Sequence, residues 1–167
     1  MAVCLASFAG GLGSASFARA AESEALLTAS GAAGALTAEG AAAGLGGLDL
    51  WWGLDDWLWL DGGVQFGGAE AGGAWVSVGL GLAAALDVLA WVPWVEGRVA
   101  VLADGRPDVR PALELGLGVD RLLAERWWLG VFGRASLSTE VANGPTDAAR
   151  GGPLIVGGIR LGLRWDL

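Results

Sequence analysis

The sequence has no histidine, no lysine, no tyrosine and a single cysteine. Without histidine there is no Ser–His or Asp–His pair to activate a nucleophile, so the common hydrolase arrangements are excluded. A zinc site would have to do without imidazole and with one thiolate, Cys4, which is too few soft ligands. The missing lysines and a net charge of −8 argue against a nucleic-acid partner, whose phosphates need clustered cations. They also argue against polybasic anchoring to a membrane surface. The chain is expected to be no enzyme and to carry no cofactor and no metal. Long apolar runs are missing too. Mean hydropathy is +0.53 and 54% of residues are hydrophobic. Yet charges and glycines interrupt every stretch before the roughly 18 residues that a helical span needs.

What the sequence does have is alternation. In its last stretch, Ile155, Gly157, Ile159, Leu161, Leu163, Trp165 and Leu167 take one parity. Val156, Gly158, Arg160, Gly162, Arg164 and Asp166 take the other. Period 2 is a strand with two different environments. An apolar face backed by glycines and arginines suits a membrane barrel, with lipid outside and a polar lumen inside.

The same pattern recurs along the chain. Strands are expected within 25–34 (a short helix is the rival there), 37–52, 57–67, 75–89, 94–103, 109–119, 127–137 and from Ile155 onward. Within 37–52, Leu48, Leu50 and Trp52 oppose Asp49 and Trp51. Within 57–67, Leu58, Leu60, Val64 and Phe66 oppose Trp57, Trp59, Asp61, Gly63 and Gln65. Within 109–119, Leu113, Leu115, Leu117 and Val119 oppose Arg110, Glu114, Gly116, Gly118 and the following Asp120. Pairs such as Gly116 and Gly118 sit inside these strands and read as small residues on a crowded inner wall, not as a phosphate loop. Asp55 and Asp56 read as a solvated turn. The fold class expected is all-β: an eight-stranded antiparallel up-and-down transmembrane β-barrel over 22–167, one domain. Residues 1–21 are small and apolar and end in Ala18-Arg19-Ala20, a cleavable signal-peptide pattern; otherwise they form a disordered N-terminus.

Two further patterns set an orientation. With the C-terminus on the periplasmic side, the connections at 53–56, 90–93 and 122–125 are periplasmic and short. Those at 67–74, 104–108 and 139–152 are external, and they include the longest. Nine of the ten tryptophans (Trp51, Trp52, Trp57, Trp59, Trp91, Trp94, Trp127, Trp128 and Trp165) flank the periplasmic connections or the C-terminus. An interfacial aromatic girdle, with Trp52, Trp91, Trp127 and Trp165 as its named members, would concentrate them there.

Three stretches carry a family resemblance: Asp87 to Trp94; Leu115 to Asp120 with Arg126-Trp127-Trp128-Leu129-Gly130; and Arg160 to Leu167. In order and spacing the region from Ala25 to Leu167 resembles the eight-stranded outer-membrane barrels of the outer-membrane protein A and X type. The resemblance implies a bacterial outer-membrane location and two kinds of partner, outer-membrane lipids and the barrel assembly machinery. It also implies an assembly signal at Arg160, Gly162, Trp165 and Leu167. The chain departs from the family pattern in ending on Leu and in lacking Tyr. A monomer is expected.

By parity Asp61, Asp87, Glu96, Arg98, Arg110, Glu114, Asp120, Arg134, Arg160 and Arg164 point into a bore that eight strands leave just wide enough for side chains. A plug of paired charges is the expected arrangement, and a narrow channel is its rival. Turns near Gly105–Arg106 and Leu123–Ala124 would place Glu114 opposite both Arg98 and Arg134, a triad in three adjacent strands. The function expected is a structural or surface-interaction role in the envelope. The alternatives are a small pore or conduit for small or apolar molecules, and a soluble lipocalin-like barrel with the faces inverted.

Overall fold

Every alternating segment forms a strand in the computed structural model, and the strands close on themselves. The structure describes residues 24–36, 41–69, 73–86, 90–103, 109–138 and 153–166. The strands are β1 (Glu24–Leu36), β2 (Ala41–Gly53), β3 (Leu58–Ala69), β4 (Gly73–Ala85), β5 (Trp91–Ala103), β6 (Arg110–Ala124), β7 (Trp127–Ser138) and β8 (Leu154–Asp166). Each pairs antiparallel with the next, and β1 also pairs with β8, so the order β1 to β8 is a closed barrel. Closure matters physically: a barrel has no free edge, so its ladders satisfy the backbone without help from water.

Side chains of one parity point out and those of the other point in. Apart from Arg121 near the turn end of β6, the outward set is apolar around the whole circumference. Leu80 is 67% exposed, Val99 69%, Leu117 64% and Ile159 62%, on four different strands. A continuous belt of this kind has no stable place in water. It overturns the soluble lipocalin-like alternative, which needed Leu and Val inside. The first segment is a strand, not the rival helix, because pairing with β2 and β8 supplies the partners that its alanines and glycines do not specify.

Several expected boundaries move. β4 ends at Ala85 and β5 already begins at Trp91. Trp91, Val92 and Pro93 are therefore ladder residues paired with Arg121, Asp120 and Val119, not a turn. Pro93 is tolerated there because its carbonyl, which accepts from Leu86 N, and its missing N–H both face β4 just past that strand's end at Ala85. β6 runs on to Ala124 with a register shift between Leu122 and Ala124. The β6–β7 turn is therefore 125–126, later than expected. Trp57 lies before β3 and is exposed, not inward. The strand ends on either side of 54–57, 86–90 and 125–126 lie at one end with both termini of the barrel, here the turn end. The strand ends on either side of 37–40, 70–72, 104–109 and 139–153 lie at the other, the loop end.

Candidate functional site: the charged bore

Three tiers of side chains fill the interior. At the turn end sits an aromatic cluster of Trp51, Trp59, Trp94, Trp128 and Phe132 with Leu26 and Val92. Trp51 meets Trp94 edge-on at 5.4 Å and Trp59 at 6.4 Å between ring centroids. At the loop end Ala43, Leu45, Leu154 and Val156 pack with Trp75. Between the two lie the charges.

Arg98 is the hub of the middle tier. Its Nη1 donates to Asp49 at 2.6 Å and its Nη2 to Glu96 at 3.1 Å, while its Nε donates to Asp61. The side chains of this group are between 0% and 1% exposed. Glu96 also accepts from Arg134, whose Nε lies 2.8 Å away. Glu96 therefore bridges two arginines, and Arg98 bridges three carboxylates. Arg160 pairs with Asp120 through Nε at 2.9 Å. Its guanidinium lies 4.4 Å from the ring centre of Trp51 and 3.9 Å from that of Trp94. That stack ties the charge tier to the aromatic tier through cation–π attraction.

Glycines make the room. Asp49 is paired across the ladder with Gly63, Glu96 with Gly116, Asp120 with Gly130 and Trp94 with Gly118. A Cβ on any of these glycines would collide with the side chain opposite. The bore is thus filled by large residues alternating with absent ones, which is how a narrow barrel accommodates arginine and tryptophan.

The expected triad does not form. Arg98 is paired in register with Glu114, as expected. Arg134, however, is paired with Gly116, and Glu114 with Ser136. The later β6–β7 turn is the reason, since it displaces the β6–β7 register from the expected one. Glu114 instead accepts hydrogen bonds from Gln65 Nε2 and Ser77 Oγ, each at 2.9 Å. Arg98 reaches past its ladder neighbours to Asp61 on β3 and Asp49 on β2, because the bore is narrow enough to span.

The other inward residues are placed as follows. Glu96, Asp61, Asp120, Arg134 and Arg160 are buried in the bore. Arg110 is half-buried at the loop end of β6. Half-buried Arg164 joins Glu24 across the β8–β1 seam and lies 5.8 Å from the centre of the Trp128 ring. Asp87 lies outside the described residues. Sequence reasoning missed Asp49, Gln65, Ser77 and Glu24 as bore partners. The parity of Asp49 and Gln65 was already legible, since each alternates with outward leucine, valine or phenylalanine.

The tryptophans divide into two sets. Trp52, Trp91 and Trp127 are outward, 46%, 53% and 47% exposed, and Trp165 is outward and half-buried. Trp51, Trp59, Trp94 and Trp128 face inward and fill the bore. The reading of all nine as a girdle is corrected for these four, because parity separates neighbours such as Trp51 and Trp52. Of the expected assembly signal, Arg160 and Gly162 are inward and buried, Trp165 is outward, and Leu167 lies outside the described residues. Among the described residues no group of three or more His, Cys, Asp or Glu could hold a metal ion.

An apolar outer belt, a filled polar interior and a closed ladder now stand together. The fold is that of the eight-stranded transmembrane barrels. No family model and no curated protein matches the sequence, but solved structures do. The crystal structure of Neisserial surface protein A aligns at 13% identity with a TM-score of 0.62, over 86% of this chain and 96% of that one. The crystal structure of the N-terminal β-barrel domain of Pseudomonas aeruginosa OprF aligns at 12% identity with a TM-score of 0.64, over 86% and 98%. A de novo designed transmembrane β-barrel aligns at 13% identity with a TM-score of 0.53, over 86% and 96%. At such identities the likeness is one of fold.

Proposed function

We propose that the barrel is a non-enzymatic, non-conducting protein of the bacterial outer membrane with a structural or surface-interaction role in the envelope. The observation that carries this reading is the Arg98 hub, because a guanidinium bound to carboxylates on three strands spans the bore and closes it. Apolar tiers above and below reinforce the closure. One neighbour of the same fold is a Neisserial surface protein and another a β-barrel domain from Pseudomonas aeruginosa, which supports a bacterial envelope location. In this reading the turn end is periplasmic, residues 1–21 are the leader, and the C-terminal residues Trp165 and Leu167 are read by the assembly machinery. The barrel works as a monomer among outer-membrane lipids.

Planar-bilayer recording of the purified, folded protein tests the closed bore. The expected result is no stepwise conductance from the wild type. Steady single-channel steps would instead make the protein a small pore. Envelope fractionation with a tag inserted between Gly144 and Pro145 tests the location. Labelling on intact cells is expected; labelling only after permeabilisation would reverse the orientation.

A further inference from the structure

Among the described strand residues of outward parity, one is charged. Arg121 follows Leu113, Leu115, Leu117 and Val119 on the outer face of β6 and is exposed. Every other outward position on the described strands is aliphatic, aromatic, proline or glycine. A cation on the lipid face is costly at mid-bilayer, and that cost falls away toward the interface. The ladder locates Arg121 there: it is paired with Trp91, the first residue of β5, and with Leu129, two residues into β7. It is thus level with the outward tryptophans of the turn end. Its guanidinium lies 5.2 Å from the centre of the Trp91 ring.

We propose that Arg121 and Trp91 form a binding site for the headgroup phosphate of an anionic glycerophospholipid in the leaflet at the turn end. Four observations support it. The cation–π contact holds the guanidinium beside the indole without consuming its N–H donors, which remain available for a bidentate phosphate. Among the described residues Arg121 has no ion pair, although Glu125 is exposed in the adjoining turn. Arg126, exposed in the same turn, adds a second cation at that rim. Leu129 and the outward Trp127 flank the site with apolar surface for the acyl chains. The charge is also the right one, since anionic lipid seeks cations and the belt offers this one. The assignment rests on the membrane-barrel reading, and identifies the leaflet as the inner one if the turn end is periplasmic.

The test is lipid retention by folded protein in detergent micelles containing equal phosphatidylglycerol and phosphatidylcholine, read by native mass spectrometry. Folding is checked for each variant by the heat-dependent gel shift of closed barrels. The wild type is expected to retain phosphatidylglycerol over phosphatidylcholine. Arg121→Gln should lower that preference by about fivefold, the factor for one interfacial cation, and Arg121→Lys should restore part of it. Inorganic phosphate at the same concentration should not displace the lipid. A folded wild type without preference, a folded Arg121→Gln with its preference intact, or displacement by inorganic phosphate would each overturn the site. A wild type that fails to fold in micelles at all would instead count against the membrane-barrel reading.

Discussion

On the outer face of β5, Val95, Val99 and Val101 are each half or more exposed. On the inner face of the same strand, Glu96 and Arg98 are almost completely buried and hold carboxylates and guanidinium groups from other strands. Neighbours in sequence thus obey opposite requirements. The outer face has a collective one: each residue must be apolar, and which apolar residue it is matters little to lipid. The inner face has a specific one: each charge needs particular partners, and Asp49, Glu96 and Asp120 each need the glycine across the ladder. The comparison shows where stability is concentrated in this barrel, and substitutions can break or sharpen it.

The largest effect is expected at the hub. Arg98→Gln leaves Asp49, Asp61 and Glu96 facing one another with their shared cation gone. Losing one partner of a buried ionic group costs about 3–5 kcal/mol, so the urea midpoint of unfolding from lipid vesicles should fall sharply. Next comes its outward neighbour. Val99→Arg puts a charge on the lipid face near mid-strand and should cost about 2–4 kcal/mol in the same assay, while Val99→Leu should be nearly silent. If Val99→Arg were as silent as Val99→Leu, the outer face would not be in lipid. A third variant, Gly130→Ala, tests the space left for charges. The added methyl would collide with the Asp120 carboxylate, which Arg160 holds in place, and overpacking of this kind costs about 1–3 kcal/mol. The smallest effect is expected at Glu114. Its partners are Gln65 and Ser77, neutral donors, and Glu114→Gln can still accept one of the two hydrogen bonds. A loss of about 1 kcal/mol should follow. Equal losses for Glu114→Gln and Arg98→Gln would mean that the hub is no more important than its periphery.

The comparison also explains what could be read in advance. Strand number, antiparallel order and the inward or outward sense of Leu113, Glu114 and Arg134 were legible, since each rests on local alternation. The β4–β5 connection was misjudged because Trp91, Val92 and Pro93 look like a turn in composition. Their role as ladder residues comes from pairing with β6. The tryptophans misled for another reason: clustering near the turns was correctly seen, but Trp51, Trp59, Trp94 and Trp128 owe their place to parity, not to the interface.

Taken alone, the sequence determined that this chain makes a barrel with an apolar outside and a charged inside. Side-chain direction in a strand has a period of two residues, so each short stretch specifies its own faces. Only the tertiary structure decided which charges meet. Arg98 bonds Asp61 at a sequence separation of 37 and Asp49 at 49, across strands that are not its ladder neighbours. Such contacts depend on the placement of every intervening turn and on how far a side chain reaches across a narrow bore. A late turn at 125–126 was enough to give Arg134 to Glu96 instead of Glu114. Alternation is local and survives such a shift, whereas register accumulates along the chain, and it is register that chooses the partners.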